Sequence, residues 1–288
     1  MHAAEIMTVI LLMFSTAGSC FTADEADRFE RRSDVRANLH AAFDVIYNGE
    51  KEILDFRLTD LQVALLDGCQ LAKLRNAVYA RYGLIFVSDD VREHFQSFEW
   101  YRPLHEDVSD ELTETDLWNI RLIRHYEDRL EDDGSGPPEG TDLTGFWHGS
   151  PSVGSGYSDL FLLFDDGNFA YRENSMDGSR RLRELSGRWR VEGSHLVLEA
   201  DSAVFLEGGE IVEPYASWGS EYVIEGADIA GRKLIGMEAL RLPMDGYTSN
   251  YAESSGSADF EHLTVPYMRI GIGGYWRIDR DPDMERLN

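Results

Sequence analysis

The spacing of apolar residues changes character once along the chain, near position 140. Before that point the repeat is helical. Between Ser33 and Tyr47, Val35, Leu39, Phe43 and Ile46 recur on one stripe, which predicts an amphipathic helix within 24–50 that Asn48-Gly49 ends. Thr59-Asp60-Leu61-Gln62 has the form of a capping box and opens a short second helix, closed by Asp67-Gly68. Leu71, Leu74 and Val78 form the stripe of a third, with Gly83 as its left-handed stop. Ser88 caps a fourth, with Val91, Phe95 and Phe98 turned inward. Thr113-Glu114-Thr115-Asp116 starts a last helix whose inward residues are Leu117, Ile120, Ile123 and Leu130.

After it the repeat is that of strands. The segment Asp132-Asp133-Gly134-Ser135-Gly136-Pro137-Pro138-Glu139-Gly140 has no apolar side chain and reads as a linker over 132–141. Leu143-Thr144-Gly145-Phe146-Trp147 recurs as Leu185-Ser186-Gly187-Arg188-Trp189. Leu160–Phe164 and Phe169–Tyr171 flank Asp165-Asp166-Gly167, and Trp189–Val191 and Leu196–Leu198 flank Glu192-Gly193-Ser194, so both pairs read as hairpins. Later strands are expected at Glu221–Ile224, Lys233–Leu242 and Val265–Ile278. The predicted class is α+β with two domains. A small helical N-terminal domain over 57–131 precedes a β-domain over 142–279, an antiparallel up-and-down barrel or curled sheet, and 280–288 is an acidic tail.

Charge removes one class of partner. With 53 acidic against 27 basic residues the chain carries a formal charge of −26, so neutralisation of nucleic-acid phosphates is excluded as its business. Adhesion to anionic headgroups is disfavoured for the same reason.

The first twenty residues address the chain. Thr8 to Ala17 is apolar but too short to span a bilayer, and suits the core of a secretory signal over 1–20. Ala17-Gly18-Ser19-Cys20 resembles a bacterial lipoprotein cleavage box, which implies a lipidated Cys20, a membrane anchor and an envelope location facing the periplasm or the exterior. The departures are Glu5 with no Lys or Arg before the apolar run, and Ala17 where Leu is usual. The second cysteine, Cys69, follows Asp67-Gly68 at a helix start. There it is either a small core residue, the favoured reading, or a thiol activated by the helix dipole.

The helical half has a more specific likeness. Leu58-Thr59, Leu74-Arg75-Asn76, Tyr79-Ala80-Arg81-Tyr82-Gly83, Phe86, Phe95, Trp100-Tyr101-Pro103, Asn119-Ile120 and Glu127 follow in order, and this run from Leu58 to about Leu130 resembles the YARHG domain of exported bacterial proteins. The resemblance implies a helical fold and an exported setting, and no reaction. Tyr82 stands where the family motif has His, so no role here needs an imidazole at that position. Arg75, Asn76, Tyr79, Arg81, Tyr82, Gly83, Trp100 and Tyr101 are then either a polar network locking a helical core, the favoured reading, or a Trp-Tyr-Arg surface that stacks on an envelope glycan or peptide. One of the two arginines is expected to pair with Glu99, Glu127 or another acid. Gly145-Phe146-Trp147 followed by hairpins resembles lipocalin-like domains over 142–200. That likeness implies structural work for Trp147, with Trp189 in the matching place, and an interior that is filled by rings or holds a small apolar ligand.

No catalytic, cofactor or metal site is expected. Asp279-Arg280-Asp281-Pro282-Asp283-Met284-Glu285 alternates like a calcium loop but lacks the turn Gly and the late Glu. Gly154-Ser155-Gly156 near His148 is no nucleophile elbow. The eight histidines show no paired metal spacing. Gly271-Ile272-Gly273-Gly274 falls in a strand region without the helix that nucleotide binding needs. The function expected is a non-catalytic, lipid-anchored envelope module that binds or scaffolds. The alternatives are a carrier of a small hydrophobic molecule and, third, a hydrolase.

Overall fold

Side-chain caps decide where most of the helices begin. The computed structural model describes residues 38–131, 133–151, 158–174, 178, 180–212, 223–252 and 264–279. The leader with Cys20, Gly154-Ser155-Gly156 and the 280–288 tail lie outside them. Helix α1 (Ala41–Phe43) runs into a π-helical turn, Asp44–Asn48, which Gly49 stops at φ 71°. Thr59 and Gln62 close a complete capping box on α2 (Asp60–Val63), as expected. Asp67 and Gln70 make a second box on α3 (Gly68–Ala80), so Asp67 is the cap of the helix whose start was expected beside it. Ser88 precedes α4 (Asp89–Gln96) without a side-chain cap bond. Thr113 and Asp116 make the third box, on α5 (Glu114–Glu127).

Leu71, Leu74 and Val78 are buried against α5, as their stripe predicts. The inward face of α5 differs from expectation: it is Asn119, Ile120, Leu122, Ile123 and Tyr126, while Leu117 and Leu130 are exposed. Nine residues of α-helix turn through about 180° beyond whole turns, so Leu117 points away from the face that Tyr126 centres. Leu130 falls past the end of the helix. Cys69, expected in the core, is exposed, because the second residue of α3 lies on the helix's open side.

The β-domain is a closed antiparallel barrel. Its strands are β1 (Gly145–His148), β2 (Leu160–Leu163), β3 (Asn168–Arg172), β4 (Leu182–Glu192), β5 (His195–Val212), β6 (Val223–Lys233), β7 (Leu240–Thr248), β8 (Tyr267–Ile270) and β9 (Gly273–Ile278). They are ordered β4-β3-β2-β1-β9-β8-β7-β5, and the β4–β5 pairing closes the ring of eight. β6 stands outside the ring, on the far half of β5. Lys233–Leu242, expected as one strand, is instead the end of β6, a break over 234–239 and the start of β7. The Leu234 amide turns onto the Asp201 carbonyl at 2.7 Å and Gly236 adopts φ 67°. Of Glu221–Ile224, expected as a short strand, Val223 and Ile224 open the much longer β6, and the first two residues lie outside the described ones.

Period-2 alternation sorts side chains to the two faces. Trp147, Phe161, Leu163, Phe169, Tyr171 and Phe205 fill the interior, with Phe161 packed on Tyr171 and Tyr275 at 4.9 and 5.1 Å. Phe146, Leu162, Phe164 and Ala170, of opposite parity, form a separate outer cluster. The Trp147 indole N–H donates to the Leu143 carbonyl at 2.8 Å, and Trp189 donates to Phe164 at 3.1 Å.

Helical module and barrel share a single apolar core, running from Leu39 and Leu74 through Trp147 to Tyr275. The segment after α5 stays on the barrel, with the Ser135 hydroxyl donating to the Met244 carbonyl at 3.2 Å. No helix among the described residues is long and apolar enough to cross a membrane. Trp147→Ala should lower unfolding stability by about 3–5 kcal/mol, read as a shifted urea midpoint. A loss below about 1 kcal/mol would mean that this ring does not hold the barrel together.

Candidate functional site

The tyrosine-arginine motif sits where α3 ends, and its side chains turn back onto the chain. The Tyr82 hydroxyl donates to Asp116 Oδ2 at 2.7 Å. The same carboxylate accepts from the amide and hydroxyl of Thr113, at 2.9 and 2.7 Å. Arg81 pairs with Asp55, lies 3.7 Å from the other oxygen of Asp116, and covers the Tyr82 ring at 5.3 Å. Asp116 is buried. Burial first, and then the bond to Asp116, push the Tyr82 hydroxyl up to about 12, so it stays a donor at any physiological pH. The network ties the end of α3 to the start of α5.

The remaining motif residues are used in the same manner. Gly83, at φ 79°, has no room for a side chain: a Cβ would meet the Arg102 carbonyl at 2.5 Å. Its own carbonyl accepts from Leu104 and His105 at 2.8 and 3.0 Å. Tyr101 is buried and donates to Leu84 at 2.7 Å, while Trp100, half-buried, donates to Gly49 at 2.8 Å. Phe98 stacks on the Trp100 ring at 5.6 Å, and the Lys51 ammonium lies 5.5 Å from its centre. Arg75 pairs with Glu127 at 2.9 Å, one of the two acids named as a partner for either arginine. Tyr79 packs against the core. Asn76 is half-buried on α3 and joins none of these bonds among the described residues.

Three groups hold the molecule together through partners that the sequence did not indicate. Asn119 is buried; its oxygen accepts from Leu58 at 2.8 Å and its amide donates to Phe56 at 3.1 Å. Asp245 is buried between Arg129, at 2.9 Å, and Arg269. Asp60 crosses the seam: its Oδ1 accepts from the Ile272 amide at 2.9 Å and from the Tyr126 hydroxyl at 3.0 Å. Gly271 makes the room, since a Cβ there would meet Asp60 Oδ1 at 2.1 Å. In sequence Asp60 looks like an ordinary first-turn acid behind the Thr59 cap, and only the Gly271-Ile272 turn hints at a visitor. Burial, strengthened by Asp159 and opposed by the Ile272, Tyr126 and Arg180 contacts, raises its carboxyl from 3.8 to about 6.

Beside this seam lies a cleft of about 140 Å³. The helical module contributes Asp44, Glu52 and Arg57, and the barrel contributes Glu173, Arg180 and Arg181. Charges of both signs therefore face one small space. Chemically it can orient a polar group of either sign, and no nucleophile and base meet among these residues.

A helical module docked on an up-and-down antiparallel barrel defines an α+β protein of two fused parts, the second consistent with a lipocalin-like domain. The YARHG domain family matches residues 46–128, so the helical part is a YARHG domain. Its start lies twelve residues before the expected Leu58 and takes in Ile46, which is fully buried in the shared core. No curated protein and no solved structure matches the chain.

Removing the Tyr82 hydroxyl leaves a buried carboxylate one donor short, so Tyr82→Phe should cost about 1–3 kcal/mol of stability in urea unfolding. Gly83→Ala forces a Cβ into a backbone oxygen at a left-handed position and should cost at least as much. Asp60 sets a pH dependence. Between about pH 4 and 6 the folded state holds a proton on Asp60 that the unfolded chain has released. This group's share of stability therefore falls as pH rises through that window, and is level above it. Asp60→Asn removes the slope. Relative to wild type the variant should gain on the order of 2 kcal/mol on going from pH 4 to 7.5, and parallel melting curves at the two pH values would refute the assignment.

Proposed function

We propose that this is a non-catalytic binding or scaffolding protein of the cell envelope, anchored by lipid at Cys20, whose ligand contact is the cleft between the YARHG domain and the barrel. One observation carries the reading: the aromatic and charged motif residues are consumed as partners of one another. Tyr82 is held by Asp116, Tyr101 by Leu84, Trp100 by Gly49 and Arg75 by Glu127. What remains open to a ligand is the mixed-charge cleft with Arg57 at its rim, sized for a small polar group such as the charged end of an envelope peptide or an amino sugar of its glycan. The carrier alternative draws no support from a bore packed with Trp147, Phe161 and Phe169. The envelope setting rests on the leader and on the exported company that YARHG domains keep.

Calorimetric titration of the full chain with cell-wall glycopeptide fragments should detect binding that Arg57→Glu weakens about tenfold or more. Fragments that do not bind, or bind both proteins alike, would remove the cleft from consideration. In cells, metabolic labelling with a fatty acid should mark the protein and not its Cys20→Ser variant. Labelling of the variant would remove Cys20 as the anchor.

A further inference from the structure

β6 is a strand with one partner. Ten of its 11 residues pair with β5, from Ser202↔Lys233 to Val212↔Val223, and Gly226, at φ 74°, is passed over. Among the described residues its other edge meets only Gly178, whose carbonyl accepts the Ile224 amide at 2.9 Å. β4 lies on the opposite edge of β5, which pairs with β4 and β6 at once over Ser202–Phe205. Side chains along this edge are open: Asp228, Gly231, Arg232 and Lys233 are exposed, and Ile229 is 77% exposed. An open edge presents a row of unused backbone donors and acceptors, and natural proteins usually blunt such rows with charge.

The charges on β6 have a direction. Glu225 and Asp228 lie in its first half, Arg232 and Lys233 in its second. A neutral edge of this kind is unusual on a chain of net charge −26, and it is where two copies approach with least repulsion. Antiparallel pairing of the strand with itself sets each half against the opposite sign. We infer that β6 is a self-association edge, through which two copies of the chain pair antiparallel about Ile229 in an isologous dimer.

Backbone phase narrows the register. Outward-facing amides and carbonyls alternate along a strand, so a strand pairs with itself only in registers that match residues of equal parity. Centring on Asp228 would oppose two carboxylates. Centring on Ala230 would set Ile229 against Gly231. Centring on Ile229 packs the exposed isoleucine on its own copy and sets Glu225 against Lys233 twice. Arg232 is already held by Glu207 at 2.9 Å, while Lys233 makes no ion pair among the described residues. A pairing of this size buries less than a standard interface, so the dimer is a weak one, on the order of 10 µM.

Sedimentation equilibrium of the full-length protein over about 1–100 µM should show the mean mass rising toward twice the monomer. Glu225→Lys and Lys233→Glu each create two like-charge pairs and should each weaken association about tenfold or more. Mixed in equal amounts the two variants become complementary and should recover the wild-type dimer. Ile229→Lys, which leaves both charged positions untouched, should be monomeric with an unchanged circular dichroism spectrum. A monomeric wild type, whether or not it takes up an unrelated extended peptide, would overturn the proposal. So would single variants that dimerise like wild type, or a mixture that fails to recover.

Discussion

The molecule depends on one constraint: the polar groups Asp60, Asp245 and His195, where the helical module meets the barrel, take their partners across the seam. Apolar packing alone would let a helical module slide on a barrel, because the hydrophobic effect has no direction. Asp60 prevents that. Its carboxylate takes the Ile272 amide of the β8–β9 turn and the Tyr126 hydroxyl of α5 at once, in a space that Gly271 leaves open. Nearby, Asp245 holds Arg129 and Arg269, and His195 meets the Arg129 carbonyl at 2.8 Å. Any shift of the module would strand a buried polar group, which is costlier than losing a few apolar contacts.

The same economy explains the motif that names the helical domain. A titratable ring is not required at position 82. What the site asks for is an aromatic body under Arg81 and a donor that reaches Asp116, and Tyr82 supplies both. Gly83 is needed for a different reason, a left-handed backbone pressed against the Arg102 carbonyl. Two surfaces are left that the core does not use: the cleft beside the seam and the open edge of β6.

Much of this was legible in the residues. The capping boxes at Thr59 and Thr113, the stop at Gly83 and the hairpins around Asp166 and Gly193 are local arrangements whose chemistry is complete within a few positions. The YARHG likeness added Asn119 and Glu127 as members of a set without saying what they touch. Leu117 and Leu130 were misplaced because an apolar residue at helical spacing marks a face only while the helix lasts and while that face has a neighbour. The break after Lys233 was missed because Leu234 and Ile235 are as apolar as any strand, and the turn there is marked only by Gly236 at φ 67°.

Composition and spacing by themselves determined the class, the order of the two parts and the left-handed stop at Gly83, since each is settled by local geometry or by the period of the apolar residues. Tertiary structure alone decided that Asp60 belongs to the barrel's turn as much as to its own helix. It also decided that Arg75 chose Glu127, that Cys69 faces water and that β6 stands outside the ring. The reason is distance: Asp60 and Ile272 are 212 residues apart, and no pattern of neighbours encodes a contact that exists only once two separately folded surfaces meet.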